Sequence, residues 1–174
     1  MRLILQLKHW QLFLIVIGLP LLSDFFVVSE SSQADTINVI VGVVIVSTVF
    51  SWIWAIGNGL FEQLPAGQRF NLGVFRLAFL SALTILISLL WVAEGGARLA
   101  SNDLLVLLFI GVPIYLGLMI YIVLYAARTL KTIELGRLAK IDEYAGEAFL
   151  IWMVPVGVWF IQPRLNKLSF GKPS

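Results

Sequence analysis

Four long apolar runs constrain this chain more than anything else in it. They cover Trp10–Val28, Ile37–Ile56, Leu72–Ala93 and Leu104–Tyr125. Each is long enough to cross a hydrocarbon core of roughly 30 Å at about 1.5 Å of rise per residue. A spanning segment must satisfy its backbone polar groups internally, so runs of this length imply helices. The connections are short, which predicts antiparallel neighbours in a single domain over residues 1–174. The first run reads as a retained helix. It exceeds the roughly 7–15 apolar residues of a cleaved signal, although Arg2, Lys8 and the small residues of "SSQA" give it some of a signal's flanking features.

Composition points the same way. Of the 174 residues, 60% are hydrophobic and 13% charged, against roughly half and a quarter in soluble domains. The net charge of +2 is too small for a nucleic-acid partner, and none is expected. There is no cysteine, which excludes disulfides, thiolate catalysis and cysteine-based metal sites.

The positive charges matter through their placement. Arg2 and Lys8 precede the first run, the loop to the second has Glu30 and Asp35 but no Lys or Arg, and the next loop has Arg69 with Arg76 just beyond it. One Arg, Arg98, stands against Glu94 and Asp103 in the third loop, and Arg128, Lys131, Arg137 and Lys140 follow the fourth run. This alternation predicts a cytoplasmic N-terminus and four crossings. Residues 126–144 read as a cytoplasmic helix. Its small-residue arc, Thr129, Thr132, Gly136 and Ala139, reads there as part of a solvated extension of the fourth helix, with a docking surface for another helix as the alternative.

Chemistry is sparse. Asp24 and Arg76 lie about four residues from the ends of their spans, where snorkelling reaches the interface. The functional alternative for Asp24 is a pairing with Arg98. His9 is the only histidine, which rules out a histidine metal triad, and no GxSxG or P-loop occurs. No catalytic residue, metal or cofactor is expected. Ser47, Ser51 and Ala55 share one face of the second helix, and Ser81, Thr84 and Ser88 one face of the third. Small and hydroxylated residues at this spacing predict close helix packing. Gly111, Pro113 and Gly117 predict a kink in the fourth helix.

The unusual chemistry lies near the C-terminus. Asp142, Glu143 and Glu147 precede an apolar segment over 148–161, and Arg164 and Lys167 follow it. Its fourteen residues make about 21 Å of helix, too short for a straight crossing, and Pro155 and Gly157 offer a bend. Both flanks carry positive charge, so the segment reads as re-entrant or in-plane, with its flanking charges free to pair on one side; a fifth crossing by a tilted helix lengthened with Gly146 and Gln162 is the alternative. A divalent cation held by the three carboxylates is the lesser alternative.

The same block, with Pro155, Gly157, Trp159, Phe160, Gln162, Pro163, Arg164 and Asn166, resembles the Pro-x-Gly-x-Trp-Phe-x-Gln-Pro-Arg-x-Asn ending of a group of small bacterial multi-pass membrane proteins, and "LKHWQLFL" is similar to their start. The resemblance implies a bacterial cytoplasmic membrane. It brings no activity, substrate or catalytic residue. The expected fold is therefore all-α, an integral membrane bundle of four transmembrane helices plus the short C-terminal segment. The expected role is a non-enzymatic subunit or accessory factor of a membrane complex, in contact with the bilayer and with a protein partner or a second copy. Asp142, Glu143, Glu147, Pro155, Gly157, Trp159, Gln162 and Arg164 are the candidate interaction residues. A small transporter or channel is the alternative, using the polar helix faces and the Pro113 kink.

Overall fold

The structure, a computed structural model, describes residues 4–5, 7–26, 32–65, 67–93 and 105–170. All the regular elements among them are helical. Helix α1 opens at His9–Phe13, passes through a π-helical turn at Leu14–Gly18 and ends as Leu19–Phe26. Helix α2 is Ser32–Trp54, widening into a π-helical turn at Ala55–Gly59, with a 3-10 turn at Phe61–Gln63. Helix α3 is Leu72–Ala93, and α4 opens with a π-helical turn at Leu107–Gly111 and continues as Val112–Leu135. Two more helices follow, α5 at Ile141–Trp152 and α6 at Val154–Phe170.

Two of the π-helical turns have a common cause. Pro20 and Pro113 each follow such a turn closely. A proline cannot donate to the carbonyl four residues back, and its ring crowds that carbonyl, so the preceding turn widens. The third turn, at the end of α2, lies against the ring of Phe75. A Cβ built on Gly57 would sit 2.4 Å from Phe75 Cζ, so only glycine lets this ring approach.

Three helical stretches are long and apolar enough to cross a membrane: Thr36–Gln63, Leu72–Ala93 and Leu107–Leu135. The sequence predicts four. The remaining stretch, His9–Phe25, is apolar but shorter, about 25 Å of helix, and the end of the predicted first span lies outside the described residues.

The buried core sits at one end of the bundle. It is built from the end of α2, the start of α3 and the second half of α4, closed by α5 and α6; Trp52, Phe75, Leu130 and Ile161 are among its fully enclosed side chains. Phe75 stacks on Tyr125 with ring centroids 4.4 Å apart. The far halves of the same helices leave Ile40, Val43, Ile87, Trp91 and Phe109 exposed. In a bilayer such exposure is solvation by lipid rather than a defect.

The stretch 126–144 is not one helix. Gly136, in the left-handed region at φ 66°, ends α4, and its N–H donates to the Ile133 carbonyl. Glu143 then accepts the Lys140 N–H at 2.8 Å, capping the start of α5. Of the small-residue arc only Gly136 is exposed. Thr129 and Thr132 are fully buried and Ala139 nearly so, and Thr132 Oγ1 accepts the Ala139 N–H. Folding back at Gly136 brings α5 onto α4, and the small side chains let it come close.

Candidate functional site

The apolar segment over 148–161 is broken, and the break is at Met153 rather than at Pro155. Met153 has φ −83° and ψ 67°, outside helical geometry. Its N–H still donates to the Phe149 carbonyl, and its own carbonyl accepts from Val156 and Gly157, so its polar groups are satisfied. Pro155 stands in the first turn of α6, where its missing N–H removes no helical hydrogen bond. A Cβ built on Gly157 would lie 1.9 Å from the Leu150 carbonyl oxygen. The two helices therefore meet backbone to backbone at the turn.

They run antiparallel. Glu147 and Arg164 would be about 25 Å apart along a continuous helix, beyond the reach of their side chains, yet they are joined at 2.9 Å. Lys131 of α4 also binds the Glu147 carboxylate at 2.9 Å, and Arg164 grips Glu134 of α4 through Nε and Nη2. Two cations and two carboxylates thus close a neutral network that ties both arms of the hairpin to α4. Burial pushes the Glu147 carboxyl up, but the hydrogen bonds from Lys131 and Arg164 outweigh it and hold the group below its ordinary value. Beside this network, Arg137 makes a fork on Glu143. That fork and the Lys140 N–H bring the Glu143 carboxyl down to about 2.

On its other side α6 holds the N-terminal segment. Gln162 is fully buried, and its Oε1 accepts the Trp52 indole N–H at 2.8 Å. Its amide protons are shared among the carbonyls of Ile4, Leu5 and Leu7 and the Asn166 side chain, the nearest being Leu7 at 2.7 Å. Asn166 also reaches the Leu7 carbonyl. Trp159 packs on His9 at 4.7 Å between centroids and on Phe13 at 5.4 Å. The polar side chains of the C-terminal motif therefore bind this chain's own segments.

Among the candidate residues, Gly157, Gln162, Glu147 and Arg164 come together in this assembly, and Trp159 lies on its α1 side. Asp142 is exposed, and Glu143 and Glu147 are each drawn to different cations, so the three carboxylates do not converge. Among the described residues no group of acidic or histidine side chains is placed to hold a metal ion. Asp24 is exposed, its partner Arg98 lies outside the described residues, and Arg76 donates to Asn58 Oδ1. Lys131, Glu134 and Trp52 complete the assembly without being foreseen. Only the i, i+3 pairing of Lys131 with Glu134 on one helix face hints at them.

The hairpin tip is of another character. Phe149, Trp152, Met153, Val156 and Phe160 project outward and exposed, while the charges gather at the base.

A second feature opens sideways between α2 and α3. Ser47, Ser51, Ala55 and Trp54 of α2 face Phe79, Leu80 and Leu83 of α3 across a groove of about 570 Å³. Ser47 and Ser51 are exposed on its wall, while Ala55 is buried at its floor. The Trp54 indole nitrogen is sealed from solvent with no hydrogen-bond acceptor. Ser81 is half-buried. Thr84 and Ser88 are exposed and donate to carbonyls of their own helix at 2.9 Å. No protein-family model, curated protein or solved structure matches this chain.

Proposed function

We propose that this chain is a non-catalytic membrane protein that acts as a subunit or accessory factor of a membrane complex. Its place is the bacterial cytoplasmic membrane, with both termini cytoplasmic. In this reading α1 is a fourth crossing. The hairpin of α5 and α6 is re-entrant: the exposed aromatic tip enters the bilayer, and the ionic base stays at the cytoplasmic surface.

The groove between α2 and α3 carries the reading. Its small-residue wall suits the backbone of another helix, a shape that a lipid tail fills poorly. The buried Trp54 N–H adds a chemical preference, because an acyl chain offers no acceptor and a helix with a hydroxyl or a free carbonyl does. The proposed occupant is a transmembrane helix of a partner polypeptide. The transporter alternative has less support, since Thr84 and Ser88 point outward and spend their protons on their own helix.

A photo-crosslinking residue at Ser51, with another at exposed Ile120 of α4 as control, tests this in native membranes. A discrete polypeptide adduct from Ser51 and none from Ile120 is the expected result. An adduct of twice the chain's mass would make the partner a second copy. Lipid adducts alone from Ser51 would overturn the reading.

A further inference from the structure

Arg128 differs from three other cations at the packed end. Lys131, Arg137 and Arg164 are each paired with carboxylates. Arg128 has no carboxylate partner among the described residues. Its Nε is sealed from solvent without an acceptor, and its guanidinium lies over the Phe70 ring, 5.1 Å from the centroid. The ring occupies a face of the guanidinium and leaves its edge, where the N–H groups point, unused.

One helical turn earlier, Tyr125 is 6% exposed, and its hydroxyl is also buried with no hydrogen-bond partner. Residues three apart share a helix face. Both side chains line a pocket of about 220 Å³ with Asn71, Tyr121 and Tyr144. Two buried donors without acceptors thus stand around one small space. An acceptor with negative charge and several oxygens answers both.

The location narrows the chemistry. The pocket lies where α3 begins and α4 nears its end, at the limit of two helices of membrane length. That is headgroup depth, where Tyr and Arg side chains gather. We propose that this pocket binds a negatively charged phosphate group, supplied by an anionic phospholipid of the adjoining leaflet or by free phosphate. The Arg128 guanidinium is the anchor and the Tyr125 hydroxyl a second donor. The site is separate from the α2–α3 groove and stands whether or not a partner helix occupies that groove.

The test uses the full chain in a mild detergent, with the shift in thermal unfolding read against added short-chain phosphatidylglycerol, short-chain phosphatidylcholine and inorganic phosphate. Phosphatidylglycerol should stabilise the protein and phosphatidylcholine much less. Arg128→Gln should weaken the apparent affinity by about tenfold or more, as loss of a charged hydrogen-bond donor does. Tyr125→Phe keeps the ring and the fold and should weaken it by about threefold, which keeps the test open if Arg128→Gln fails to fold. Stabilisation by inorganic phosphate with the same dependence on Arg128 and Tyr125 would support the pocket and identify free phosphate as the source. No stabilisation by either anion, or equal stabilisation in wild type and Tyr125→Phe, would overturn the proposal.

Discussion

The α5–α6 hairpin and the α2–α3 face handle buried polar groups in opposite ways. At the hairpin each partner is found within the chain: Glu147 meets Lys131 and Arg164, Gln162 meets Trp52 and the N-terminal carbonyls, and the broken turn at Met153 satisfies its own carbonyl. Across the α2–α3 groove the Trp54 N–H is buried and unmatched, and the serines of α2 line an open space. An unmet buried donor costs roughly 1–3 kcal/mol, a penalty that a partner able to supply the acceptor removes. The same chain thus has one region whose buried polar groups are met and one where a buried donor is left without an acceptor. Motif residues and small-residue stripes look alike as candidates for interaction, but the motif's polar side chains are spent within the chain, while the serines of α2 face outward.

That contrast can be broken most severely at Gly157. Gly157→Val would drive a side chain into the Leu150 carbonyl, and the hairpin should lose about 3 kcal/mol or more, read as a fall in detergent unfolding temperature. Gln162→Leu keeps the volume and removes the clamp. It strands the Trp52 N–H, leaves the Leu7 carbonyl only its longer bond from Asn166, and should cost about 2 kcal/mol. Glu147→Gln leaves Lys131 and Arg164 short of one carboxylate. The network is partly exposed, so the expected loss is smaller, about 1 kcal/mol, and it should shrink when Lys131→Met is added.

Smaller still is the exposed Glu143–Arg137 fork. Its folded carboxyl is depressed from 4.5 to about 2, so its contribution is complete above pH 4.5 and fades as pH falls from there toward 2. Glu143→Gln should remove that part of the acid sensitivity and leave neutral-pH unfolding almost unchanged. At the open face the expected effect on the isolated protein is near zero. Ser47→Leu should shift the unfolding temperature no more than Val44→Leu, because both positions are exposed, but it should abolish the adduct formed by the crosslinker at Ser51.

The apolar runs are legible in the sequence because membrane-length hydrophobicity has few other uses. The return of the C-terminal segment is legible too, in its shortness and the charges on both sides. The position of its break is not. Proline looks like the breaker, but it is at ease in a helix's first turn, and Met153 reaches its φ and ψ without any special side chain. The Glu147–Arg164 pairing can be read from flanking charges, whereas Lys131 and Glu134 join only because α4 lies alongside. Helical spacing places Ser47, Ser51 and Ala55 on one face but does not say which body that face meets. In the isolated chain it meets the groove.

The central claim is that the chain enters this hairpin and leaves it on the same side of the membrane, where the charges close their network. The absence of native cysteine makes this directly measurable. Single cysteines at Asp24, Lys140 and Lys167, all exposed positions, can be labelled in intact cells with a membrane-impermeant thiol reagent. The account predicts that the cysteine at position 24 reacts in intact cells, while those at 140 and 167 stay protected together and react together once the membrane is opened. Labelling at 167 but not at 140 in intact cells would mean that the chain crosses the bilayer once between them, and the hairpin account would be wrong.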